Sequence, residues 1–133
     1  MNIGIIGSGG REHSLCYKLK ESSLINEIFC FPGNAGTELI AENINLDVSD
    51  FEKIHKVCEE KKIELIVVGP EKPLVNGIVD YFKNTKIKIL WASPRELLNI
   101  FQASEIGCHI ITVTPDIINK MKLISYDLNE YSL

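Results

Sequence analysis

The first twenty residues constrain the fold of this chain more than any other segment. The apolar run at residues 2–6 leads directly into Gly7-Ser8-Gly9-Gly10, and residues 11–19 follow with apolar positions at helical spacing. A strand, a glycine turn and a helix start in this order form a cradle for an anion. Glycine lets the backbone approach an anion closely, and the first-turn N–H groups and the helix dipole favour negative charge. The segment predicts an α/β unit with a candidate phosphate site, and a tight turn without a ligand is the alternative.

The glycine loop departs from the dinucleotide-binding fingerprint at Glu12. G-x-G-x-x-G has its third glycine at that position, where it permits close packing of helix and strand. A carboxylate there is expected instead to accept hydrogen bonds from ribose hydroxyls. This departure makes an NAD-dependent oxidoreductase a weak alternative and favours a nucleotide or sugar phosphate as the ligand.

The composition excludes several classes of protein. The chain has 133 residues, a length typical of one domain, and its net charge of −4 provides no basic footprint for nucleic acid. It shows neither an apolar stretch long enough to span a membrane nor a basic leader, so we expect a cytoplasmic protein. The four cysteines lack C-x-x-C spacing, and we expect no metal site; they are predicted to be mostly small buried residues, at Cys16, Cys30, Cys58 and Cys108.

Apolar runs alternate with helical patterns along the whole chain. The pattern predicts strands near residues 2–6, 26–31, 44–46, 64–68, 87–91 and 108–113. It predicts helices over about 11–22, 50–61 and 95–105, a helix that follows the turn at residues 69–74 and reaches about Lys83, and a short last helix from Pro115. Such alternation is typical of a parallel sheet with helices on both faces. The turns at residues 7–10, 32–37, 69–74 and 92–95 then share the carboxyl edge of the sheet, where ligands bind.

Three of these turns carry a family resemblance. Residues 5–13 read IIGSGGREH, residues 32–37 read PGNAGT, and residues 67–75 read VVGPEKPLV. In this order and spacing they resemble the N-terminal domain of phosphoribosylamine–glycine ligase, an ATP-grasp enzyme of purine biosynthesis. The resemblance covers about residues 1–86. It implies a Rossmann-like, pre-ATP-grasp sheet.

The resemblance also implies where a substrate is held. In that family the glycine loop and the helix start hold the sugar-phosphate side of the substrate, which carries over to Gly7, Gly9, Gly10, Arg11 and Glu12. The polar groups best placed in the neighbouring loops are those of Asn34 and Glu71. Asp47 is expected either to touch a ribose or to cap a helix. No catalytic residue is predicted, because His13 has no identifiable nucleophilic or acidic partner and is expected to be a partly buried helix residue.

The last third of the chain resembles a different family. Residues 87–133 are similar to the last two βα units of a transaldolase-type (β/α)8 barrel, which suggests a fusion near Lys86. In that family the loop after the seventh strand helps to hold a phosphate, which implies a possible second anion site at Ser93 and Arg95. We predict that residues 87–91 join the same sheet as the preceding strands, so that residues 1–133 form one α/β domain.

The resemblance to the ligase leaves three functions open. The family reaction joins glycine to phosphoribosylamine through an acyl phosphate and uses ATP and Mg²⁺ in further lobes. We therefore expect no cofactor in this chain and no turnover by this chain alone. The alternatives are a substrate-side domain that binds a ribose phosphate, a stand-alone nucleotide- or sugar-phosphate-binding module, and a folded fusion or truncation product without activity. Exposed apolar surface, with residues 110–123 contributing, predicts a homo-oligomer.

Overall fold

The computed structural model describes residues 1–124, which form a parallel sheet of six strands with helices between them. The strands are β1 (Asn2–Gly7), β2 (Ile28–Pro32), β3 (Glu42–Asn43), β4 (Ile63–Val68), β5 (Lys88–Trp91) and β6 (Ile110–Ile111). The helices are α1 (Gly10–Lys20), α2 (Phe51–Glu60), α3 (Glu71–Val75), α4 (Ile78–Phe82), α5 (Leu98–Glu105) and α6 (Pro115–Met121), with a 3-10 turn at Thr37–Leu39. The predicted α/β, Rossmann-like class is confirmed. No helix among these residues is long and apolar enough to cross a membrane.

The order of the strands places the candidate site at the middle of the sheet. The order is β3-β2-β1-β4-β5-β6. β2 and β3 lie on one side of β1, and β4, β5 and β6 lie on the other, so the direction in which strands are added reverses between β3 and β4. Ligands of open α/β sheets bind at such a reversal, outside the carboxyl ends of the strands. Gly7 ends β1 at this point, and Gly69 follows β4 and donates its N–H to Ile6 O at 3.3 Å. The two loops that follow these strands are therefore neighbours.

Side chains that alternate along the strands build one core on each face of the sheet. Phe29, Phe31, Ile66 and Val68 lie on one face, where α2 and α4 add Ile54, Ile78 and Phe82. Ile5, Cys30 and Val67 lie on the other face, where α1 adds Cys16. The central strands are nearly all apolar because both of their faces are covered.

The prediction that residues 87–91 extend the sheet is confirmed. β5 pairs in parallel with β4, from Leu65 opposite Lys88 to Val68 opposite Trp91. β6 pairs in parallel with β5, with Leu90 opposite Ile110 and Trp91 opposite Ile111. The predicted tail reaches residue 133, and its residues 125–133 lie outside the described part of the chain.

Two predicted elements in the first part of the chain differ from the structure. The third strand lies at Glu42–Asn43 and not at residues 44–46, because the N–H of Leu46 turns back to Ile44 O at 2.8 Å and takes the chain away from β2. The helix predicted to reach Lys83 is two helices, α3 and α4. Gly77 stands between them with φ +88, a left-handed conformation that ends a helix and that glycine adopts without strain.

Two predicted elements of the last third are shorter than expected. α5 begins at Leu98 and not at Arg95, because the Asn99 side chain accepts the N–H groups of Arg95 and Glu96 and holds a turn there. β6 covers two residues of the predicted 108–113. The His109 imidazole accepts the N–H of Ile89 at 3.2 Å, so a side chain takes the place of a backbone partner beside β5.

Candidate functional site

The glycine loop joins β1 to α1 with its outer surface open to solvent. Gly7 is buried and has φ +131, a backbone conformation that side chains rarely adopt. Ser8, Gly9 and Gly10 are exposed, and Gly9 is the N-cap of α1. The first-turn N–H groups of an α-helix have no partner within the helix. The loop therefore presents an exposed helix start at the carboxyl edge of the sheet, and the strand order places it at the reversal point.

The carboxylate of Glu12 lies beneath this loop and not on its outer surface. Glu12 is only 4% exposed, and its Oε2 accepts the N–H of Gly9 at 2.7 Å. Its Oε1 is buried without a hydrogen-bond partner among the described residues and faces Gly69. The expectation that this carboxylate meets ribose hydroxyls is therefore not realised in this arrangement. Glu12 contacts the loop from beneath. Its carboxylate fits there because three neighbouring residues have no side chain: Gly7, Gly9 and Gly69.

Asn34 also holds the loop. Its amide nitrogen donates to Ser8 O at 2.9 Å and to Gly9 O at 3.2 Å, and its Oδ1 accepts the N–H groups of Gly36 and Thr37. The side chain thus ties the turn after β2 to the glycine loop with both of its polar ends. Its predicted contact with a ligand would require some of these bonds to be exchanged.

His13 packs against the same turn. The imidazole lies so close to Gly36 that a Cβ built there would be 2.8 Å from the ring. The residue is partly buried in α1, as predicted, and serves as a packing surface for the turn after β2.

A shallow cleft of about 440 Å³ lies beside the start of α1. It is lined by Gly10, Arg11, Ser14, Leu15 and Ser93. Arg11 is exposed, and its Nη2 donates to Gly69 O at 3.5 Å, so the guanidinium reaches from α1 towards the loop after β4. Ser93 brings the predicted second anion loop next to the first. Sequence reasoning missed Ser14, although its spacing of four residues from Gly10 places both on one face of the helix.

A larger cleft of about 640 Å³ lies on the other side of Ser93, between the α3–α4 segment and α5. Arg95 and Glu71 line this cleft and not the smaller one. Four carboxylates share it with Arg95, and their negative charge disfavours a phosphate there; they are Glu71, Asp80, Glu96 and Glu105. Ser93, with φ +66, lines both clefts and donates its N–H to Thr112 Oγ1. Ser93 and Arg95, the two members of the predicted second site, thus both line the larger cleft, and of the two only Ser93 also lines the smaller one.

The remaining candidates have structural partners. Asp47 accepts the N–H of Ser49, and Asp50 caps α2 by accepting the N–H of Lys53. Within residues 1–124, no group of three or more His, Cys, Asp or Glu side chains is arranged to hold a metal ion.

Comparison with known proteins gives a family match over most of the chain. The model of the family described as phosphoribosylglycinamide synthetase, N domain, matches residues 1–97. This match extends past the junction predicted near Lys86. A phosphoribosylamine–glycine ligase from Caldanaerobacter subterraneus is 43% identical over 95 residues, which are 71% of this chain and 23% of that protein.

A second ligase aligns further along the chain. The phosphoribosylamine–glycine ligase of Rhodopirellula baltica is 36% identical over 116 residues, which are 87% of this chain and 26% of the relative. The chain therefore spans about a quarter of the length of these relatives. The likeness of residues 87–133 to a transaldolase-type barrel stays a prediction.

A solved structure of lower identity shares the fold. The dTDP-glucose 4,6-dehydratase of Bacillus anthracis, solved in complex with NAD, superposes with a TM-score of 0.51 at 17% identity. The match covers 70% of this chain and 37% of that one. At this identity the likeness concerns the sheet and its helices alone.

Proposed function

The chain belongs to the family of phosphoribosylglycinamide synthetase N domains, and from this premise we propose that it binds a ribose phosphate at the glycine loop. One observation carries the proposal: the exposed start of α1 and the guanidinium of Arg11 border the same cleft. Backbone N–H groups at a helix start and an arginine side chain are both strong partners for phosphate oxygens.

Ser93 adds a hydroxyl to the lining of this cleft. The Ser14 hydroxyl lines the same cleft but already donates to Gly10 O at 2.9 Å, so it offers a phosphate no free proton. Glu12 and Asn34 act indirectly in this proposal, since they hold the loop in shape from below and from the side. The sugar extends past Ser93 towards the larger cleft, where the carboxylate of Glu71 accepts a ribose hydroxyl.

The ligase reaction itself is not assigned to residues 1–124. The curated relatives are named for that reaction, and the chain spans about a quarter of their length. The described clefts offer the substrate side of such a reaction. We propose no site for ATP or Mg²⁺ in them.

The two arginines of the chain allow a matched test of the site. We expect amide NMR shifts on titration with ribose 5-phosphate at Gly9, Gly10, Arg11 and Ser93. Arg11→Ala should weaken binding roughly tenfold, the size of one charge-assisted hydrogen bond. Arg95→Ala should weaken binding by less than about twofold, because Arg95 lines the larger cleft, which the phosphate does not enter in this proposal.

The controls separate the phosphate from the sugar. Free ribose should give no shifts at these amides, whereas inorganic phosphate should shift them more weakly than the ester. A folded spectrum that does not respond to millimolar ribose 5-phosphate would contradict the proposal and favour a protein with no retained ligand. Shifts confined to Trp91 and Arg95 would move the site to the larger cleft.

We also propose that the chain forms a homo-oligomer through its last described segment. Apolar side chains that are about 40–56% exposed cluster in this part of the sequence, at Leu98, Phe101, Ile110, Ile118, Met121, Leu123 and Ile124. Exposed apolar surface of this kind commonly marks a contact with another protein. Light scattering should give at least twice the chain mass, and Ile118→Glu should lower it. A monomer at high protein concentration would count against the oligomer.

A further inference from the structure

Two cysteines that are distant in the sequence meet in the core between α1 and β2. Sγ of Cys16 lies 3.2 Å from Sγ of Cys30, and both side chains are fully buried and free. The contact is a hydrogen bond between thiols. The ligand site does not use either sulfur. Two thiols in direct contact on different elements are close enough for one covalent bond to join them.

We propose that Cys16 and Cys30 are a redox pair that a peroxide or a diazene oxidant converts to an intramolecular disulfide. The pair loses two protons and two electrons, and the oxidant gains them: hydrogen peroxide becomes two molecules of water. With peroxide, the Cys30 sulfur attacks one oxygen and becomes a sulfenic acid as the first water leaves. The Cys16 sulfur then attacks the Cys30 sulfur, forming the S–S bond as the second water leaves.

The surroundings of the two sulfurs assign these different roles. The hydrogen bond from Cys16 lowers the pKa of Cys30, with a further hydrogen bond from Thr37, whereas the same contact and burial raise the pKa of Cys16. Thiolate is the attacking species, so Cys30 is the sulfur that is oxidised first. Burial raises the pKa of Cys58 to about 12 and also raises the pKa of Cys108. Neither of these two therefore competes as a thiolate.

The disulfide would link α1, the helix that follows the glycine loop, covalently to β2. A disulfide has an S–S distance of about 2.05 Å, so the sulfurs need to approach by about 1.2 Å, a small movement for two side chains. Cys30 lies in β2, and Asn34 lies in the turn that follows this strand. Asn34 donates hydrogen bonds to the glycine loop. The disulfide would therefore lie near a residue that positions the candidate site. Its formation does not depend on whether that site binds a ribose phosphate.

Burial makes the reaction depend on local opening. Neither sulfur is exposed, so an oxidant reaches the pair when α1 lifts from the sheet. The buried side of this helix is small, with Glu12 and Cys16 as its fully buried residues. We therefore expect oxidation over minutes to hours and a rate that increases in a urea concentration too low to unfold the protein.

Mass spectrometry tests the pair directly. The folded chain carrying Cys58→Ser and Cys108→Ser is treated with diamide or hydrogen peroxide, and its intact mass should fall by about 2 Da and return with dithiothreitol. Peptide mapping should give a crosslink between Cys16 and Cys30. If the double variant does not fold, peptide mapping of the unaltered chain after oxidation should show the same crosslink.

A matched variant locates the first oxidation. With hydrogen peroxide as the oxidant, adding Cys16→Ser should abolish the mass loss and leave a sulfenic acid on Cys30 that dimedone traps. Failure of the folded chain to form the crosslink, under conditions in which the urea-unfolded chain forms it, would overturn the proposal. A crosslink that involves Cys58 or Cys108 in place of this pair in the unaltered chain would also overturn it.

Discussion

Phe82→Ala should lower the free energy of unfolding by about 3–5 kcal/mol, the cost of emptying a large buried site in a well-packed core. Phe82 is the last residue of α4 and is fully buried. Its ring packs edge-on against His55 at 5.2 Å and against Tyr81 at 5.1 Å between centroids, and it lies in the core with Ile54 and Ile89. One side chain therefore joins α2, α4 and β5. The loss is a large part of the about 5–15 kcal/mol that stabilises a typical domain.

Urea unfolding measures this loss, and the chain offers a matched control. Tyr17→Ala removes a ring of similar size from a residue of α1 that is 63% exposed and should change stability by less than about 0.5 kcal/mol. Phe82→Leu keeps most of the volume and should cost less than about 1.5 kcal/mol, which keeps the test usable if the alanine variant does not fold. The midpoint should fall with an unchanged dependence on urea. Equal losses for Phe82→Ala and Tyr17→Ala would mean that the α4 side of the core does not hold the fold together.

The sheet was predictable because the patterns that determine it lie in short, continuous segments of the sequence. Apolar runs such as residues 64–68 require burial on both faces, and a helix between two such runs makes the strands parallel. The errors fall at the edge strands and at helix ends. At β6 a single side chain, that of His109, replaces a backbone partner. At Gly77 one left-handed residue divides a helix. Such effects depend on individual contacts and leave little trace in the spacing of apolar residues.

The candidate site was predictable in part. The position of the glycine loop and its neighbours at one edge of the sheet followed from the alternation of strands and helices. The orientation of Glu12 did not, because a carboxylate after a glycine turn can point outward to a ligand or back beneath the loop. The position of Ser93 beside Arg11, in addition to its place in one cleft with Arg95, depends on tertiary contacts between the loop after β5 and the start of α1. Sequence spacing alone pairs Ser93 with its near neighbour Arg95.

Gly69→Ala should destabilise the protein by about 1–3 kcal/mol through one steric conflict with Glu12. A methyl group at Gly69 would overlap Oε1 of the buried carboxylate and lie 3.0 Å from its Cδ. The carboxylate would have to move, although its other oxygen holds the N–H of Gly9 at 2.7 Å. We expect the amide resonance of Gly9 to shift in this variant. Gly10→Ala is the control, because a methyl group there has no neighbour within 4 Å.

A double-mutant cycle assigns the loss to this pair of residues. Glu12→Ala removes the acceptor for Gly9, which costs stability, but it also removes a buried oxygen without a partner, which restores some. In that background the added methyl group at residue 69 meets vacated space, so Gly69→Ala should cost little. The coupling energy between the two sites should then be about 1–3 kcal/mol by urea unfolding. If Gly69→Ala costs the same with and without Glu12, the carboxylate does not occupy the space beneath the loop, and Glu12 becomes available to a ligand as the sequence first suggested.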